Sequence, residues 1–160
     1  MSICNGQSFL TYKDSINHFT IAVPIGWRYG VPRDYPSIKL IAYRTPNSSI
    51  DTSKDNYNLN ILQTPNMTLN ETYSKFLASI REVNNFKLIY SGDTTINGRE
   101  FKQLIETHKN KNDNIQMHNY DFVTYQNDKT YILTFTTFSN RFRDVKPFFD
   151  KILNSFSLTK

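Results

Sequence analysis

The chain has 160 residues, 38% of them hydrophobic and 14% aromatic, which excludes a disordered chain and sets the size of one domain with a core of Phe and Tyr rings. The net charge is +5, but Lys and Arg are scattered, Lys109-Asn110-Lys111 and Arg141-Phe142-Arg143 being the tightest groups, so a solvated surface is favoured over a nucleic-acid footprint. No run is long and apolar enough for a membrane-spanning helix.

Met1-Ser2-Ile3-Cys4-Asn5-Gly6-Gln7 reads as the tail of a signal peptide, with small Cys4 and Gly6 in the positions a signal peptidase requires before Gln7. The expectation is an exported bacterial protein, periplasmic or extracellular, with residues 1–6 a remnant and residues 7–160 a single domain. A lipid on Cys4, anchoring the chain to a membrane, is the second option, since Ile3 is bulky for an acylation site. Cys4 is the only cysteine, so no internal disulfide and no cysteine-based zinc site is available.

Phe9 to Tyr12 and Phe19 to Val23 are β-rich runs around a turn-prone Lys13-Asp14-Ser15, an opening hairpin. Pro24 and Gly26 close the second strand, and Trp27 to Pro36 reads as a loop. Ile38 to Tyr43 and Tyr57 to Gln63 are the next strands, and the polar stretch from Thr45 to Asn56 between them reads as a mobile insertion. Thr68-Leu69-Asn70-Glu71 has the form of a capping box, and Leu69, Tyr73, Phe76, Leu77, Ile80 and Val83 follow at helical spacing.

Asn97-Gly98 is a strong hairpin signal, because a type I′ turn needs positive φ at both residues; it joins strands over Phe86 to Ile96 and Arg99 to His108. Ile115 to Tyr125 and Thr130 to Phe138 form a second hairpin. A closing helix carries Val145, Phe148, Phe149, Ile152, Leu153 and Phe156, with Asp144 as N-cap and Pro147 in the first turn. The order ββββαββββα, with no repeat and no linker, predicts an α+β fold whose sheet is antiparallel throughout.

Asn17-His18-Phe19-Thr20-Ile21-Ala22-Val23-Pro24-Ile25-Gly26-Trp27 resembles the F-x-x-x-x-P-x-G-W opening of PsbP-like domains. The Asn97-Gly98 hairpin, the Tyr131 to Phe135 strand and Ile152-Leu153-Asn154-Ser155-Phe156 are similar to later landmarks of that family. The resemblance implies an αβα sandwich with a central antiparallel sheet and helices packed on it. It also implies kinship with photosystem extrinsic subunits, bacterial exported lipoproteins and a eukaryotic Ran-binding relative. No shared chemistry follows from the fold.

The residues supply no catalytic constellation. His18, His108 and His118 fall on three different predicted strands, and no zinc-protease or nucleophile-elbow spacing occurs. His118 and Asp121, three apart on a strand, would face opposite sides and are read as ordinary surface residues. Glu100 and Glu106 share a strand face and are read as solvent-facing charges rather than an acid-base pair.

Trp27, Arg28, Tyr29, Arg33 and Tyr35 mix rings and guanidinium groups in one short segment, as ligand and protein sites often do. Trp27 is read as a structural anchor and Arg28, Tyr29, Arg33 and Tyr35 as partner-binding residues. The expectation is a monomeric, non-catalytic exported binding or assembly module with no cofactor and no metal, whose partner is a protein or envelope component. A small-ligand carrier, or a hydrolase or metal enzyme with an unrecognised site, are the alternatives.

Overall fold

The computed structural model describes residues 8–159. The reading of Cys4 and of the cleavage site before Gln7 lies outside these residues. Ten strands and two helices follow in the order β1 (Phe9–Asp14), β2 (Phe19–Pro24), β3 (Arg28–Gly30), β4 (Ile38–Tyr43), β5 (Asn56–Gln63), α1 (Leu69–Ile80), β6 (Lys87–Ile96), β7 (Arg99–Lys109), β8 (Gln116–Gln126), β9 (Lys129–Phe138), α2 (Phe142–Ser155) and β10 (Ser157–Leu158).

Every strand pair is antiparallel, as expected. The strands divide into a seven-stranded sheet in the order β3-β4-β5-β9-β8-β7-β6 and a three-stranded sheet in the order β1-β2-β10. Alternation decides what each face of the large sheet meets. Along β5, Tyr57, Leu59 and Ile61 are buried while Asn56, Asn58 and Asn60 between them are half-exposed. The apolar face carries Leu40, Ala42, Phe101, Phe122, Leu133 and Phe135. It packs against Phe19, Ile21 and Val23 of β2 and Phe149, Ile152 and Leu153 of α2. The opposite face is more polar and is crossed by α1, which lies on β8 and β7. The two helices therefore sit on opposite faces, giving the αβα sandwich.

Local chemistry explains the boundaries. At the β6–β7 hairpin Asn97 and Gly98 have φ of 50° and 77°, as the type I′ turn requires. The Asn97 amide also donates to the carbonyls of Asn154 (3.1 Å) and Phe156 (2.9 Å), holding the end of α2 against the turn. At α1 the capping box forms in both directions: Thr68 Oγ1 accepts from the Glu71 N–H at 3.2 Å, and the Glu71 carboxylate accepts from the Thr68 N–H at 2.7 Å. Replacing Thr68 with Ala is expected to lower stability by about 1 kcal/mol in chemical denaturation. An unchanged midpoint would show that α1 is held by packing alone.

Three expectations are corrected. Arg28–Gly30 is a strand rather than loop, because its backbone pairs with Ile41–Tyr43. His18 is in the turn before β2 with φ 58°, not on a strand. The last helix begins at Phe142, so Asp144 is not the N-cap. A 3₁₀ turn over Ser139–Arg141 runs directly into the helix, leaving Asp144 inside its first turn, where a carboxylate suits the positive end of the dipole, and Pro147 one turn later.

Candidate functional site

The site grows from the Pro24-Gly26-Trp27 corner. Gly26 has φ +88°, which L side chains rarely adopt, and the Trp27 N–H donates to the Pro24 carbonyl at 3.1 Å. This turn aims the indole inward, where it is 8% exposed, 6.2 Å from the Tyr57 ring and 5.8 Å from Phe148. The next three residues emerge as β3, at one edge of the large sheet. Registry sets Arg28 opposite Tyr43, Tyr29 opposite Ala42 and Gly30 opposite Ile41.

An open groove of about 620 Å³ lies along this edge, lined by Arg28, Tyr29, Gly30, Val31 and Pro32 from the first segment and by Ile41, Tyr43, Arg44, Thr45 and Pro46 from the second. Tyr29 and Tyr43 are each nearly half exposed, and the Tyr29 ring meets Tyr12 edge-on at 6.0 Å. Arg44 is already neutralised: it pairs with Asp51 at 2.8 Å and approaches Asp55 at 4.0 Å. Among the described residues Arg28 has no carboxylate within ion-pair distance, so it brings the groove an uncompensated positive charge.

The segment read as a mobile insertion gives the groove Thr45 and Pro46 and carries several side-chain bonds of its own. The Asp51 carboxylate accepts from the N–H groups of Asn47 (3.0 Å) and Ser53 (3.1 Å) and from Arg44. These bonds, the Asn47 N–H first, hold it well below the usual carboxylate range. Lys54 pairs with Asp113 in the β7–β8 connection, and Thr45 donates to the Gly26 carbonyl at 2.6 Å. Asp55 is buried and accepts from Thr137 at 2.6 Å and Arg141 at 2.8 Å.

Of the four residues expected to bind a partner, the structure brings Arg28 and Tyr29 into the groove. Arg33 and Tyr35 are exposed but do not line it. Sequence reading missed Tyr43 and Arg44, which reach the site only through strand pairing; the signal was the alternation in Ile41-Ala42-Tyr43, which puts Tyr43 and Ile41 on one face.

The acids considered for chemistry lie elsewhere, and two readings of them are corrected. Glu106 and Asp121, expected at the surface, are each 2% exposed. They share the face crossed by α1, which takes that stretch of sheet out of water. Glu106 meets His108 Nδ1 at 2.9 Å, and Asp121 accepts from Thr134 at 2.6 Å while its other oxygen has no partner. Burial, reinforced by the Glu106 charge, pushes the Asp121 carboxyl up to about 8. His118 points to the opposite face, stacked 4.3 Å over Phe142, and burial lowers its pKa. Among the described residues no three His, Cys, Asp or Glu side chains converge as a metal-binding group.

The family profile for PsbP matches residues 7–158, nearly the whole chain. The chain belongs to the PsbP family. Among curated proteins, none matches it by sequence. Solved structures show the PsbP fold across wide sequence distance. The cyanobacterial PsbP of Synechocystis superposes with a TM-score of 0.72 at 18% identity, over 99% of this chain and 96% of its own. LpqN of Mycobacterium tuberculosis, described as involved in cell envelope biogenesis, gives 0.63 at 12% identity, over 98% and 93%. A Pseudomonas aeruginosa protein of unknown function gives 0.64 at 12% identity, over 92% and 94%. At these identities the PsbP fold is what is shared.

Proposed function

We propose that this PsbP-family domain is a non-catalytic binding module of the cell envelope, and that the β3–β4 groove takes a partner segment carrying apolar side chains and an anionic group. The observation that supports this best is the lining of the groove. It joins rings, aliphatic groups and an unpaired guanidinium, it contains no His, Asp, Glu, Cys or Ser, and its Thr45 hydroxyl donates to the Gly26 carbonyl, so no base stands beside a nucleophile there. Such a lining is suited to binding. Arg28 would pair with a carboxylate or phosphate, Tyr43 would supply ring area, and the net charge of +5 would draw an acidic partner. The free edge of β3 leaves backbone groups for an extended segment to pair with. Placement in the envelope rests on the likeness to LpqN, described as involved in cell envelope biogenesis.

Photo-crosslinking from Tyr43 in native cells tests the reading. One discrete adduct is expected, lost when Arg28 is replaced by Ala and retained when Arg33, outside the groove, is replaced. Arg28→Ala should leave stability within about 1 kcal/mol of the parent, since the side chain is exposed. An adduct indifferent to Arg28 would move the binding surface away from β3.

A further inference from the structure

A second recess lies on the other side of the molecule from the α2 core, where α1 leaves β5 and β9 partly uncovered. It has a volume of about 240 Å³, and its walls are Leu62 on β5, Ile132 on β9, Met67 in the connection and Phe76 on α1. The hydroxyl groups around it are already satisfied within the protein: Thr64 and Thr130 bond each other at 2.7 Å, Thr72 donates to the Leu69 carbonyl, and Ser79 donates to the Phe76 carbonyl. The interior therefore asks for no polar partner and favours an apolar body.

One charge stands at the rim. Lys75 lines the recess and is exposed, and its ammonium is bonded only to Met67 Sδ at 3.6 Å, a weak acceptor. Glu71, one turn earlier, is the nearest acid along the helix and feels the Lys75 charge, but it makes no ion-pair contact with it; one of its oxygens accepts both bonds from Thr68 in the capping box. Among the described residues no carboxylate comes within ion-pair distance of Lys75. At the roughly 30 Å³ that a water-sized group occupies in a liquid, the recess holds about eight such groups.

From this volume, the apolar walls and an ammonium at the rim with no carboxylate in ion-pair contact, we infer that the recess binds a small amphipathic carboxylate, its hydrocarbon part between α1 and the sheet and its carboxylate at Lys75. A medium-chain fatty acid has this form. The site is independent of the β3–β4 groove, which lies at the sheet edge and shares no lining residue with it.

The test uses three probes, octanoate, octanol and acetate, titrated into the ¹⁵N-labelled chain. Octanoate is expected to shift the amides of Leu62, Met67, Phe76 and Ile132 saturably, and acetate to leave them in place. Lys75→Met should weaken octanoate about three- to fivefold, the scale of an exposed ion pair, without weakening octanol. Ser79→Leu, on the exposed rim, should block octanoate while the variant unfolds at the parent's temperature. Octanoate binding that survives Ser79→Leu, equal shifts from acetate, or an affinity for octanoate that ignores Lys75→Met would each overturn the assignment.

Discussion

Replacing Trp27 with Ala is expected to destabilise the domain by about 3–5 kcal/mol, read as a lowered midpoint in chemical denaturation. The indole is 8% exposed and fills the space between Tyr57 and Phe148, which come from β5 and α2, so its loss opens a cavity where the two layers meet. Neither neighbour can collapse into it freely. The Tyr57 hydroxyl is tied to the Ala22 carbonyl at 2.9 Å, and Phe148 stacks on Phe9 at 5.7 Å. Arg28→Ala, one residue along, removes an exposed side chain and is the control. If the two variants unfold together, Trp27 does not anchor the corner, and the groove that begins at the next residue loses its rigid support.

The second large effect is a fall in stability as pH rises from 6.5 to 8. Asp121 is buried and holds its proton up to about pH 8, whereas the unfolded chain releases it near the ordinary value of 3.8. Between those values the folded state binds the extra proton, so each unit of rising pH removes up to about 1.4 kcal/mol until the folded carboxyl itself ionises. The groups that face it are Thr134, which donates to one oxygen, and Glu106, whose charge disfavours a second carboxylate nearby. His118 acts in the opposite sense and at lower pH, since its depressed pKa removes stability only as the solution turns acid, which is why the window starts at 6.5. Asp121→Asn keeps the acceptor for Thr134 and cannot ionise. The variant should have the shallower pH profile and should exceed the parent at pH 8. Parallel profiles for parent and variant would show that Asp121 is already ionised in the folded state.

Where the sequence was decisive, one or two residues carried a local rule strong enough to act without tertiary help. Asn97-Gly98 set a hairpin, Thr68 and Glu71 set a helix start, and the alternation through Tyr57, Leu59 and Ile61 set which face of β5 is buried. The misreadings share a different cause. β3 is three residues long and exists only because β4 lies beside it, so nothing in Arg28-Tyr29-Gly30 announces a strand. Glu106 shares a strand face with Glu100, yet Glu100 is exposed and Glu106 is buried; periodicity along one strand cannot see which part of a face another element covers. The candidate site was half legible for the same reason. Arg28 and Tyr29 follow directly from the corner, whereas Tyr43 and Arg44 arrive across a strand pair from a segment with no distinguishing composition of its own.

The small sheet has a consequence for the order in which the chain can be assembled. β2 is bordered on one side by β1, its neighbour in sequence, and on the other by β10, more than 130 residues later. Its buried residues Phe19, Ile21 and Val23 meet α2, and the Ala22 N–H donates to Ser155 Oγ at 2.8 Å. During synthesis the first hairpin thus leaves the ribosome long before the segment that covers it. Until α2 follows, its share of the cover over Phe19, Ile21 and Val23 is missing, while the meander β6 to β9 can form from mostly local pairings. The closing step joins the two most distant parts of the sequence, the kind of contact that is slow to form. That interval, rather than the finished fold, is when a holding chaperone would have most to bind.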